Sequence, residues 1–265
     1  MAVYLLLAAM RRHNAMGAAV QARALGTPLG RQLKGLRVLI VGWGNIAREV
    51  ALRLAPFGVV LSAVRRSPWG DTNNNGDTNN NGDNNNGGGG NGGGSGSHGG
   101  GNGGSSGDEG SGEVDAALAL LVGKGVAATD MHAMLADSDA VILACNQHAD
   151  NRGMVDAVFL AAMQPGAALV NVARGGLFNR DAVLAALEAG HLGYLASDVA
   201  WVEPVDPNDA LVSHPNAYFT PHVGGVTDVS YEVMGGIVAA EARNVCLGRE
   251  LSDNVVVVNM EAAMK

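Results

Sequence analysis

Apolar residues recur along this chain in two rhythms, one helical and one unbroken. Val3, Leu6, Leu7, Met10 and Val20, with alanines between them, keep helical spacing and predict one N-terminal helix, which Gly26-Thr27-Pro28 and Gly30 bring to an end. Val38-Leu39-Ile40-Val41 is then apolar without interruption, as suits a strand buried on both faces. A Gly-rich turn and a helix follow, the helix stopped by Pro56 and Gly58, and residues 59–64 read as a second strand. Beyond a long interruption the alternation resumes with a helix at 130–135, a strand at 140–144, a helix at 155–163 and a strand at 168–172. Asn179 as N-cap and Gly190 as C-terminal stop frame a helix at 181–189. Strands at 195–199 and 217–220 come next, and a long helix at 229–247 ends at Gly248 before Val255-Val256-Val257-Val258.

Strands that alternate with helices imply a parallel sheet covered on both faces. The fold class is therefore α/β, a doubly wound, Rossmann-like sheet. The interruption has a composition of its own. Of 39 glycines in 265 residues, 19 fall between 70 and 113, together with 11 asparagines and no Val, Leu, Ile or Phe. Such an Asn/Gly-rich insert cannot build a core and is expected to be disordered. It also holds six acidic residues and no Lys or Arg, so the formal charge of −8 leaves the remaining body near −2. No basic stripe is present to attract a polyanion, which argues against nucleic acid as a partner.

Cys145 and Cys246 sit in apolar surroundings and read as buried free thiols. The apolar start, residues 2–10, is too short to span a bilayer, and Arg11 and Arg12 follow it rather than precede it, the wrong order for a signal peptide. A membrane partner is not expected, and the compartment expected is the cytoplasm unless an organelle-targeting segment precedes residue 1. His13, His98, His132, His148, His191 and His214 have no neighbours at ligand spacing, so no metal is expected.

Gly42-Trp43-Gly44-Asn45-Ile46-Ala47 lies between the first strand and its helix and matches G-x-G-x-x-G/A in the context the motif requires. The first glycine permits the tight turn, the second lets backbone approach a pyrophosphate, and Ala47 allows close packing of helix on strand. The amides of Asn45 and Ile46 then open the helix toward the phosphates. Where a carboxylate would meet the ribose hydroxyls of NAD, the chain has Arg65-Arg66-Ser67. Two guanidiniums and a hydroxyl suit a 2′-phosphate, so NADP is expected in preference to NAD, the alternative being a solvated basic turn.

Further motifs follow in order: Met163-Gln164-Pro165-Gly166, Asn171-Val172-Ala173-Arg174-Gly175-Gly176, Ser197-Asp198-Val199 with Glu203-Pro204, and Thr220-Pro221-His222-Val223-Gly224-Gly225. With the glycine turn, these make the chain resemble the D-isomer-specific 2-hydroxyacid dehydrogenase family, which includes phosphoglycerate dehydrogenases and hydroxypyruvate reductases. The stretch from Asp198 to Asp209 resembles a plant-type branch of it. The resemblance implies that Arg174 pairs with a substrate carboxylate and polarises its 2-oxo group. It makes His222 the proton donor in reduction, Glu203 the residue that holds that imidazole, and Ala173 and Asp198 contacts of the cofactor. Independent chemistry agrees, since hydride reduction of a ketone needs a proton donor near neutral pKa and a fixed guanidinium matches a carboxylate. Each residue taken alone has a plainer reading: His222 as a turn histidine, Arg174 as a loop cation, Asp198 and Glu203 as caps.

The resemblance also divides the chain. Residues 1–36 are expected to be a crossover and dimerisation helix with its linker, 37–220 the dinucleotide-binding domain, and 221–265 the His loop, a return helix and a remnant strand. A homodimer is expected. Family members carry a second domain before the crossover helix, and the resemblance implies that this chain is expected to start inside that helix. The function expected is hydride transfer between a nicotinamide cofactor and a small 2-oxo or 2-hydroxy acid, with poor turnover if the other cleft wall is missing. The alternative is a catalytically silent NAD(P)-binding sensor or scaffold. Lengthening a surface loop from about 10 to about 50 residues costs only roughly 1.5 kcal/mol of closure entropy, so the fold should tolerate the insert.

Overall fold

A computed structural model describes residues 1–65, 122–127 and 131–250. The insert at 70–113, Arg66, Ser67 and the valine run at 255–258 lie outside the described residues.

Seven parallel strands form one sheet in the order β3-β2-β1-β4-β5-β6-β7. They are β1 (Arg37–Val41), β2 (Val60–Arg65), β3 (Val122–Ala127), β4 (Ala140–Leu143), β5 (Ala167–Asn171), β6 (Leu192–Ser197) and β7 (Ala217–Phe219). The helices are α1 (Ala2–Met10), α2 (His13–Gln21), α3 (Asn45–Leu54), α4 (Met131–Ala136), α5 (Ala157–Ala162), α6 (Arg180–Glu188) and α7 (Asp228–Cys246).

Because successive side chains of a strand point to opposite faces, the unbroken apolar runs feed two cores. Val38, Ile40, Ala140, Ile142 and Val170 face α1 and α3. Leu39, Val41, Val141, Leu143 and Leu169 face α4, α5 and α6. Strand order reverses between β1 and β4, and that is the crevice in which open parallel sheets bind ligands, at the carboxyl ends of the strands.

The expected caps are present at α6, where Asn179 Oδ1 accepts from the amides of Asp181 and Ala182 and Gly190 takes a φ of 70°. The helix after the glycine turn ends in a short 3-10 turn through Pro56, with Gly58 left-handed behind it.

Two expectations need correction, and two features were not anticipated. The N-terminal helix is two helices, because Arg12 turns left-handed at φ 55°. That turn lays α2 against the sheet edge, where Asn14 Nδ2 donates to the Ala217 carbonyl at 2.7 Å. α1 does not present an open apolar face, since Leu5 and Leu6 are fully buried against the chain's own sheet. The edge strand β3 went unpredicted. It pairs with β2 through a register shift between Leu61 and Ala63. Finally, neither thiol is fully buried: Cys145 is partly covered and Cys246 is exposed on α7, a helix with no buried residue.

Candidate active site

β1 delivers Gly42 to the mouth of the crevice with a φ of 105°. A β-carbon there would stand 2.7 Å from both N and Cα of Cys145, so only glycine lets the turn pass β4 this closely. The Gly42 amide donates to the Val64 carbonyl at 2.8 Å, which fastens the turn to β2. Gly44 is the N-cap of α3, and among the described residues no side chain closes that helix end. A β-carbon on Gly44 would meet nothing within 4 Å, and Ala47 is fully buried beneath. Open ground, unspent amides of Asn45 and Ile46 and a positive helix end fit a pyrophosphate. Arg65 ends β2 directly after Val64, at the rim of this cradle.

Asn171 ends β5 fully buried and shapes the next loop from inside. Its Oδ1 accepts from the Ala173 amide at 3.0 Å and its Nδ2 donates to the Arg174 carbonyl at 3.0 Å. Arg174 is exposed, and its Nη1 donates to the Ala173 carbonyl at 2.7 Å. A β-carbon on Gly175 would fall 1.9 Å from the Ala200 carbonyl oxygen, so the Arg174 loop and the loop after β6 meet without room for any side chain.

Aromatic packing holds that second loop. The Trp201 ring packs edge-on to Phe178 at 6.0 Å and Phe219 at 6.1 Å, with the Arg180 guanidinium 5.8 Å from its centre. Ser197, fully buried at the end of β6, donates to the Val199 carbonyl at 2.6 Å. Glu203 Oε1 accepts from the Ala200 amide at 2.9 Å, and its Oε2 lies 2.8 Å from His222 Nδ1. With Nδ1–H donated to the carboxylate, Nε2 is the imidazole nitrogen left to face a ligand. Burial alone would raise the Glu203 carboxyl, but the Ala200 amide, His222 and the nearby Arg174 charge outweigh it and hold the group below the usual carboxylate range. The carboxylate therefore keeps its charge to lower pH than an unpaired glutamate does.

The structure thus brings Arg174, Glu203 and His222 to adjoining loops at the ends of β5, β6 and β7. Asp198 sits among them, but its carboxylate is turned into the protein, 3% exposed, and is bound by Thr220, Val223 and Gly224. Ala173 is buried behind Arg174. Sequence reasoning assigned no role to Asn171, Ser197, Thr220 or Gly175. The available signal was a polar residue at the end of an otherwise apolar parallel strand, true of both Asn171 and Ser197. Among the described residues no cluster of His, Cys, Asp or Glu could hold a metal ion, and no helix is long and apolar enough to cross a membrane.

A doubly wound sheet with a glycine cradle at its switch point defines a dinucleotide-binding domain. Residues 3–81 and 120–224 match the family model described as D-isomer specific 2-hydroxyacid dehydrogenase, NAD binding domain, and the chain belongs to that family. It is 34% identical over 137 residues to C-terminal-binding protein 1 of Caenorhabditis elegans, covering 51% of this chain and 19% of that protein. It is 36% identical over 110 residues to (S)-sulfolactate dehydrogenase of Chromohalobacter salexigens, covering 42% of this chain and 36% of that enzyme. Among solved structures, a D-isomer specific 2-hydroxyacid dehydrogenase from Xanthobacter autotrophicus Py2, in complex with NADPH and MES, superposes with a TM-score of 0.64 at 20% identity. That likeness covers 96% of this chain and 84% of that one. The chain spans well under half the length of the two curated relatives.

Proposed function

We propose that this chain is the cofactor-binding part of an oxidoreductase that interconverts small 2-oxo and 2-hydroxy acids, that it favours NADP(H) over NAD(H), and that it works as a homodimer. The observation that carries the reading is the His222–Glu203 pair, 2.8 Å apart, beside the exposed guanidinium of Arg174 at the mouth of a glycine cradle.

The nicotinamide, when bound, supplies the hydride chemistry. The residues of the chain do the rest. Arg174 offers a planar fork to the substrate carboxylate and polarises the neighbouring oxo group. His222, protonated, gives its Nε2 proton to the carbonyl oxygen as charge develops there, and in the reverse direction takes it back. Glu203, kept ionised by its surroundings, orients the ring through Nδ1 and balances the imidazolium charge. Asn45 and Ile46 present amides to the pyrophosphate. The preference for NADP(H) rests on Arg65, with Arg66 and Ser67 beside it in sequence, and accords with the Xanthobacter relative, whose structure contains NADPH. The homodimer rests on α7, whose apolar side chains are exposed.

The test joins binding to turnover. Titration with NADPH, followed through Trp43 fluorescence, is expected to saturate, and glyoxylate is expected to be reduced at the expense of NADPH, slowly for a cofactor-binding part alone. His222→Ala should lower turnover by about a hundredfold or more, the scale of general acid catalysis, while cofactor affinity changes little. Absence of cofactor binding, or turnover indifferent to His222, contradicts the proposal.

A further inference from the structure

Asp198 is the carboxylate of the site that faces inward, and the hydrogen bonds its oxygens accept come from one short loop. Thr220 Oγ1 donates to its Oδ1. The Val223 amide donates to the same oxygen at 3.0 Å, and the Gly224 amide donates to Oδ2 at 2.7 Å. Those bonds occupy three of the roughly four acceptor positions of a carboxylate. The donors bracket His222, with Thr220 before it and Val223 and Gly224 after it. Between them the His222 amide donates to the Thr220 carbonyl at 2.9 Å, a tight turn across Pro221. His222 itself has a φ of 55°, a conformation that few residues other than glycine adopt without restraint. Its side chain is 46% exposed, so surrounding packing does little to hold it.

Gly224 supplies an independent observation. Its φ is not positive, so no left-handed backbone demands glycine there. The demand is for space: a β-carbon at Gly224 would stand 2.7 Å from Asp198 Oδ2.

We infer that Asp198 is a positioning residue: its buried carboxylate clamps residues 220–224 and so sets the left-handed turn that presents His222 to Glu203. The assignment rests on the proposed role of His222 as proton donor, but the clamp is a property of the loop whether or not the chain turns over substrate. A carboxylate is needed because donors converge on both of its oxygens. An amide at this position would turn an N–H toward one of them.

The clamp is tested in the 265-residue chain with Asp198→Asn and Gly224→Ala, the second leaving the carboxylate intact while crowding its bond to the loop. The readouts are the His222 imidazole titration by NMR, assigned by its loss in His222→Ala, and NADPH affinity by fluorescence. Glu203→Gln sets the scale by giving the titration shift that follows when the pair is broken. Both clamp variants are expected to reproduce at least half of that shift, and Gly224→Ala, which leaves the carboxylate intact, is expected to change NADPH affinity by less than about threefold. Thr220→Val removes one of the three bonds and is expected to shift the titration in the same direction by a smaller amount, which keeps the test open should a clamp variant fail to fold. Variants that fold and titrate as the unmodified chain does overturn the inference. So does a loss of NADPH affinity of about tenfold or more in Asp198→Asn that Gly224→Ala does not share, since that pattern makes Asp198 a cofactor ligand. If the unmodified chain neither binds NADPH nor reduces 2-oxo acids, the proposed function fails, and the His222 titration still decides the clamp.

Discussion

Arg65 is fixed at the rim of the glycine cradle by a neighbour's backbone: because the Gly42 amide holds the Val64 carbonyl, the next residue of β2 stands beside the turn proposed to take the cofactor. A guanidinium there attracts a phosphate ester, whereas a carboxylate would take hydrogen bonds from a pair of ribose hydroxyls. Arg65→Asp is therefore expected to reverse the cofactor preference. It removes a charged hydrogen-bonding partner, about 2 kcal/mol, and sets like charges against each other. Parallel titrations of NADPH and NADH on the two proteins measure this, and equal affinities in the unmodified chain would sink it.

At the scale of elements, Asp139 ties together the amino ends of three strands. Its carboxylate takes the Arg37 amide at 2.9 Å, Arg37 Nε at 3.2 Å and Arg31 Nη2 at 2.8 Å, while its carbonyl accepts from Ala168 of β5. Burial alone would raise this carboxyl, but its bonds to Arg31 and Arg37 win and lower it. A lowered carboxyl stabilises the fold fully above the ordinary aspartate range, and that contribution is lost as pH falls through the lowered value. Asp139→Asn is expected to cost about 2 kcal/mol near neutrality and to flatten the acid limb of the stability curve. Urea melts at several pH values, with the midpoint reduced and the slope unchanged, would record it. The strands that Asp139 ties were legible because a central parallel strand must be apolar at every position, as 38–41 and 140–143 are. β3 was not, because Gly123, Lys124 and Gly125 interrupt its run and pairing with β2 alone defines it. The break at Arg12 was equally hidden, since nothing local distinguishes it and the reward, the Asn14 bond to β7, lies about two hundred residues away. The same holds within the site. Arg174, Glu203 and His222 were legible as a joint pattern of motifs, whereas Asn171, Ser197 and Thr220 act through hydrogen bonds that only the fold brings together.

For the molecule as a whole, α7 stands out among the described helices as a long one with no buried residue. Val229, Tyr231, Val233, Ile237 and Val238 are all exposed, and a run of apolar side chains of this extent on one helix marks an interaction surface. Light scattering at increasing concentration is expected to give twice the 26.9 kDa of the chain, and Val238→Glu is expected to return it to one. A chain that stays monomeric at high concentration contradicts the homodimer. The position of α7 carries a further consequence. Thr227 caps the helix two residues after Gly225, the last glycine of the His222 loop, so the two share a short stretch of backbone. Whatever grips α7 takes hold of a lever whose short arm carries the imidazole. If that grip alters the set of the loop, the traffic runs both ways: the factor by which a partner on the helix changes the affinity of a crevice ligand is the factor by which that ligand changes the hold of the partner.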